Sequence, residues 1–149
     1  MAADRSYIGE NDRERHRLEA LVGKLDDGAL SRAMPAGWTV AGVLAHLAFW
    51  DQRIVLLVEL LKRGATVPME LPIDVDWIND AAKPMQLAVP PRRAATLAVE
   101  TARASDRAVA TLSDELLAKN AAAGGPINVL RAAHRREHLD EIEQALARG

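Results

Sequence analysis

Apolar residues recur along the chain at the three-to-four-residue spacing of helices, in four long stretches set apart by glycine and proline. In the first, about Asn11 to Asp27, Leu18, Leu21, Val22 and Leu25 share one face, and Gly28 closes it. A loop with Pro35 and Gly37 follows. Thr39 then reads as the N-cap of a second helix that runs to about Arg63 and stops at Gly64. Its inward stripe is Val43, His46, Trp50, Ile54, Leu57 and Leu61. Trp38, just before the cap, suits a hydrophobic staple. Residues 64–90 form a long connection with Pro68, Pro72, Pro84 and Pro90, in which DVDWINDAA suits a short helix capped by Asp74 or Asp76. Trp77 and Asn79 in this segment are expected to cover one end of the fold. A third helix starts at Pro91 and runs to about Lys119, its alanines allowing close helix approach. Asn120 to Gly125 is a loop, and Pro126 opens a fourth helix over Ile127 to Ala147.

Four helices with short first and third links and a long second one predict an all-α four-helix bundle with a crossover between helices two and three. A single domain over residues 1–149 is expected. Composition agrees: 49 % of residues are apolar but only 3 % aromatic, so the apolar mass is mainly Ala, Leu and Val. A net charge of −2, with both signs mixed throughout, gives no basic stripe for nucleic acid. With no cysteine, any metal must use histidine or carboxylate, and the chain has no thiol nucleophile of its own. The segment MAADRSYIGENDRERHR lacks a signal peptide's apolar core, and no uncharged apolar run is long enough for a membrane span. A cytoplasmic protein is the expectation, from a GC-rich bacterial genome given its use of Ala and Arg.

Three of the four histidines change the picture. His134 and His138, in HRREH, are four apart and lie one turn apart on one helix face. With His134 at zero on a helical wheel, His138 falls at about 40°, Ile127 and Ala145 at about 20°, and Leu130 at about −40°. Both histidines therefore read as part of an inward stripe. His46, in AHLAFW, also faces inward, with Trp50 and Val43 about 40° and 60° away. Three inward imidazoles from two helices can hold a metal with one open position, where the metal does chemistry. The plainer reading is three core histidines bonded to backbone. His16 lies opposite its helix's apolar face and reads as solvated. The pattern is not HExxH, since Arg135 stands where that motif's glutamate would be and the acid falls at Glu137.

Glu141, at about −20°, reads as buried beside the histidines. It is a candidate fourth ligand, outer acceptor, or base, against an ordinary salt bridge. Arg53, about −20° from His46 and some 10 Å along the helix, is a candidate anchor for a substrate carboxylate. Its alternative is pairing with Glu141 or Glu100. No Gly-rich phosphate loop occurs, and neither Ser105 nor Ser113 has an evident base partner.

In GWTVAGVLAHLAFWD, AAHRREHLDEIEQAL and DVDWIND the chain resembles the DinB-like superfamily, which includes YfiT-like metalloenzymes. The resemblance implies a four-helix bundle with a long second crossover. It also implies three histidine metal ligands, here His46, His134 and His138. Characterised members are thiol-dependent isomerases acting on maleylpyruvate, and S-transferases using mycothiol or bacillithiol. A divalent metal such as Zn²⁺ or Ni²⁺ would make a nucleophile of a bound low-molecular-weight thiol or water. The expected function is thus a metal-dependent thiol S-transferase or hydrolase acting on a small-molecule substrate, in a homodimer, without nucleic-acid or membrane partners. The competing expectations are a non-catalytic metal-binding bundle and a helical dimerisation module.

Overall fold

The computed structural model describes residues 2–69 and 72–149. Glu70 and Leu71 of the long connection lie outside the described residues. The fold is all-helical, and the described residues contain no strand beyond one isolated bridge between Ala33 and Thr39. Among the described residues seven α-helices run in order: α1 (Tyr7–Lys24), α2 (Asp27–Leu30), α3 (Val40–Lys62), α4 (Pro72–Leu87), α5 (Pro91–Ala110), α6 (Asp114–Ala122) and α7 (Ala132–Ala147), with a short 3₁₀ turn at Pro35–Gly37. The four long predicted helices correspond to α1, α3, α5 and α7. These pack in a closed ring: α3 on α5, α5 on α1, α1 on α7, and α7 on α3, while α4 packs on α3.

Helix α3 is the centre of this arrangement. Thr39 caps it as expected, with its Oγ1 accepting from the Gly42 N–H at 2.9 Å. Its first half is buried all round, from Val40 to Ala48, because α5 presents Ala94, Ala95, Ala98 and Ala102 and comes in close. By length and mean hydropathy α3 could cross a membrane, but 67 % of that stretch is buried inside the fold, as befits a core helix. A second apolar cluster at the other end joins Tyr7, Ile54, Leu57, Val58, Leu61, Val109 and Leu112.

Several predicted boundaries move, each for a local reason. Helix α1 starts earlier, at Tyr7, whose buried ring is tied down by its hydroxyl donating to the Val109 carbonyl at 2.7 Å. It ends at Lys24, and Gly28 sits inside the one-turn α2, which Asp26 caps through the Ala29 N–H. The predicted third helix is two: α5 ends at Ala110, and Ser113 starts α6 by accepting from the Leu116 N–H at 3.1 Å. Ser113 is thus a cap. The predicted fourth helix does not begin at Ile127. The Asn120 side chain donates to the Ile127 carbonyl and accepts from its N–H, at 2.9 and 3.0 Å, so the carbonyl that would accept the first helical bond is held by a side chain. Helix α7 begins only at Ala132. In the long connection between α3 and α5, α4 is a 16-residue helix that carries Pro84 within it.

Candidate metal centre

The three histidines come together. His46 Nε2 and His138 Nε2 each lie 3.2 Å from His134 Nε2. The potential ligand atoms of all three rings lie within 4.8 Å of one another. Helix α3 brings His46 and α7 brings the other two. His16 is exposed and apart, as expected.

The wheel argument for α7 needs a correction. Its buried face is Ala132, Arg135, Leu139 and Ile142, at about 160°, 100°, 140° and 80° from His134. Ile127 and Leu130, which helped to define the predicted stripe, precede the helix. His134 and His138 therefore lie at the border of the buried face, half-buried, and look into a cavity. Glu141 lies there too and is exposed, which overturns its predicted burial. Its Oε2 is 3.0 Å from His138 Nδ1.

The cavity has a volume of about 960 Å³ and is bordered by α3, α4, α7 and the loops beside them. His46, His134 and His138 lie on its wall with Trp38, Trp50, Arg53, Glu137 and Arg131. Trp38 meets His46 edge-on at 5.7 Å between ring centroids, and Lys83 of α4 lies over its face at 4.9 Å. Lys83 also donates to the Ala36 carbonyl. Trp50 Nε1 donates to Asn79 Oδ1 at 2.8 Å, so Asn79 ties α4 to α3. Trp77, by contrast, is 61 % exposed. The Arg53 guanidinium lies over the Trp50 ring at 5.4 Å and borders the cavity, where a substrate anchor would need to be. Burial, and then the nearby Arg131, lower its pKa. Of the acids considered as partners for Arg53, Glu141 is bonded to His138 and Glu100 is paired with Arg93 at 3.6 Å.

The electrostatics favour bare nitrogen lone pairs. Burial, followed by the proximity of His138, lowers the His46 pKa to about 4. Burial and then His138, His46, Arg131 and Arg135 lower that of His134 to about 2. Both rings are neutral at pH 7, the state that ligates metal. Neutral rings cannot satisfy one another here. Each carries one N–H. If His134 holds its proton on Nε2, that proton points at one neighbour and leaves the other contact unbonded. If Nε2 is bare, two donors must share a single lone pair. His46 Nδ1 is also buried, with no hydrogen-bond partner among the described residues. A cation between the three Nε2 atoms removes the conflict. Tetrahedral Zn–N bonds of about 2.0–2.1 Å place ligand nitrogens roughly 3.3 Å apart, close to the two 3.2 Å contacts made by His134, while the ligand atoms of all three rings spread over no more than 4.8 Å.

Beneath the histidines lies an ionic core that the sequence reading missed. Asp51 of α3 accepts from Arg131 Nε at 2.9 Å and from Arg135 Nη2 at 3.2 Å. Arg135 also donates to Asp106 of α5 at 3.0 and 3.1 Å, and Arg15 of α1 donates to Asp106 at 2.8 Å. Arg135 is 1 % exposed. Burial opposes its charge, but Asp51 and Asp106 outweigh that and raise its pKa. Asn11 of α1 completes the joint, its Oδ1 accepting from the Ala132 N–H at the start of α7. Signals were present. Asp51 is an acid within an otherwise apolar helical stretch, and Arg131 and Arg135 flank His134 at one-turn spacing. Such a buried acid needs a partner.

An all-helical protein with an open cavity and a group of three converging histidines is therefore defined by fold and site. The family model of the DinB superfamily matches residues 10–142, and the chain belongs to that superfamily. No curated protein and no solved structure matches it.

Proposed function

We propose that the chain is a divalent-metal-dependent enzyme, a low-molecular-weight-thiol S-transferase or a hydrolase, in which His46, His134 and His138 hold one ion. The observation that carries this is the convergence of three Nε2 atoms at a cavity wall, with burial holding the His46 and His134 rings neutral, in contacts that hydrogen bonds among the rings do not satisfy. Membership of a metal-associated superfamily supports it. The ion would lower the pKa of a thiol or water bound at its open position. Around it the chain's own groups have evident tasks. Trp38 and Trp50 shape the cavity, and Arg53 is placed to hold an anionic group of the substrate about two helical turns from His46. The chain has no cysteine, so the sulfur of a transfer reaction would come from a small-molecule thiol.

The ring of α1, α3, α5 and α7, with α4 in the second connection, supports our reading of the fold as a single-domain four-helix bundle with a crossover. We also propose a homodimer. Phe49 and Leu56 are exposed seven residues apart on α3, and Trp77 and Met85 are exposed on α4. Light scattering at micromolar concentration should give twice the chain mass, and a monomer would refute the dimer.

The functional test is turnover. Protein loaded with Zn²⁺ or Ni²⁺ is assayed with a panel of small thiols plus electrophilic acceptors, and separately with ester and amide substrates. We expect activity that is lost on chelation, restored by metal, and absent in His138→Ala, which should stay folded because His138 is not in the buried face of α7. Equal activity in metal-free His138→Ala would refute the proposal.

A further inference from the structure

We infer that Glu141 is a positioning residue: its carboxylate holds the His138 ring with the proton on Nδ1, so that the Nε2 lone pair is turned toward His134 and His46. The two side chains stand three residues apart on α7, with Glu141 Oε2 at 3.0 Å from His138 Nδ1. A carboxylate only accepts, so the ring nitrogen facing it must carry the hydrogen. In its neutral form the ring then has no hydrogen left for Nε2, the atom 3.2 Å from His134 Nε2.

This device is specific to one ring of the three. His46 Nδ1 is buried and has no partner among the described residues, so none of them selects the tautomer of that ring through its outer nitrogen. His138 is half-buried at the cavity wall, where water can compete for either nitrogen. The carboxylate removes that freedom. It also removes one escape from the conflict among the rings, because His138 can no longer donate to His134. A metal ligand whose second nitrogen donates to a carboxylate is held in orientation and made more basic, and losing such a partner typically weakens metal binding about 10- to 100-fold.

The inference on the tautomer stands without metal, and only its effect on affinity rests on the proposed metal site. The experiment therefore has two arms on the full chain. In chelator-treated protein at pH 8, ¹⁵N–¹H correlation spectra of the imidazoles report which nitrogen of His138 is protonated. We expect Nδ1–H in the wild type and a loss of that preference in Glu141→Ala. In the second arm, the zinc Kd is measured by competition with a chromophoric chelator. Glu141→Ala should raise it about 10- to 100-fold, while Glu141→Gln, which keeps a carbonyl acceptor, should stay nearer the wild type. Glu141 is exposed, so these variants should keep the wild-type helical signal. A wild-type ring protonated on Nε2, or a His138 spectrum indifferent to Glu141→Ala, would overturn the inference. If the wild type takes up no zinc, the metal proposal fails, and the tautomer arm decides the role of Glu141 by itself.

Discussion

His46 and His134 carry a cost that appears only when protons are scarce in the fold and plentiful outside it. In the unfolded chain both rings take a proton near pH 6.5, whereas folded His46 holds off until about 4 and folded His134 until about 2. Between those values the unfolded state binds more protons, so stability rises with pH. Their contribution is complete above pH 6.5 and is lost as pH falls through the window toward the folded values. The melting temperature of chelator-treated protein should therefore drop between pH 7.5 and 5, above the main range of carboxylate titration. The drop should be shallower in His134→Ala. A wild-type melting temperature that is flat over this range would contradict the neutral, buried rings described here. Glu141 shows the limit of reading single residues from a wheel. Its angle was right, and its neighbour is His138, but the face it occupies is a cavity wall rather than a core.

Elements were legible where their signals were local. Thr39 and Gly64 bound α3, and of the expected stripe Val43, His46, Trp50, Ile54, Leu57 and Leu61 all are buried except Trp50, which is half-buried at the cavity wall. Boundaries set by tertiary contacts were not legible. Nothing near Tyr7 announces that its hydroxyl reaches Val109, and nothing near Pro126 announces that Asn120 clamps Ile127. That clamp has a measurable weight. Asn120→Ala strips partners from both backbone groups of buried Ile127, and each unsatisfied buried group costs about 1–3 kcal/mol. We expect urea unfolding to show a loss of about 2–6 kcal/mol, with the histidine cluster unchanged. A loss below about 1 kcal/mol would mean that water replaces the side chain.

At the scale of the molecule, α3, α5, α1 and α7 are tied together by one ionic core. Asp51 and Asp106 are 3 % and 5 % exposed, and Arg135 lies between them. This core was the least legible part of the site, because its members come from four separate helices. Arg135→Met would leave two acids short of a partner in the interior. Breaking a buried pair in this way costs about 3–5 kcal/mol. Chemical denaturation should show that loss, and a change under about 1 kcal/mol would mean that the network contributes nothing to the packing of α7 on α3. Since Asp51 and Arg135 lie five residues and one residue beyond His46 and His134, the same ties set the register in which those rings meet.

The central claim is that this register assembles a metal centre, and metal content tests it most directly. Elemental analysis of untagged protein, after incubation with zinc or nickel and removal of the excess, should give about one ion per chain. His134→Ala/His138→Ala should give none. No metal in the wild type, or equal metal in the double variant, would contradict the account.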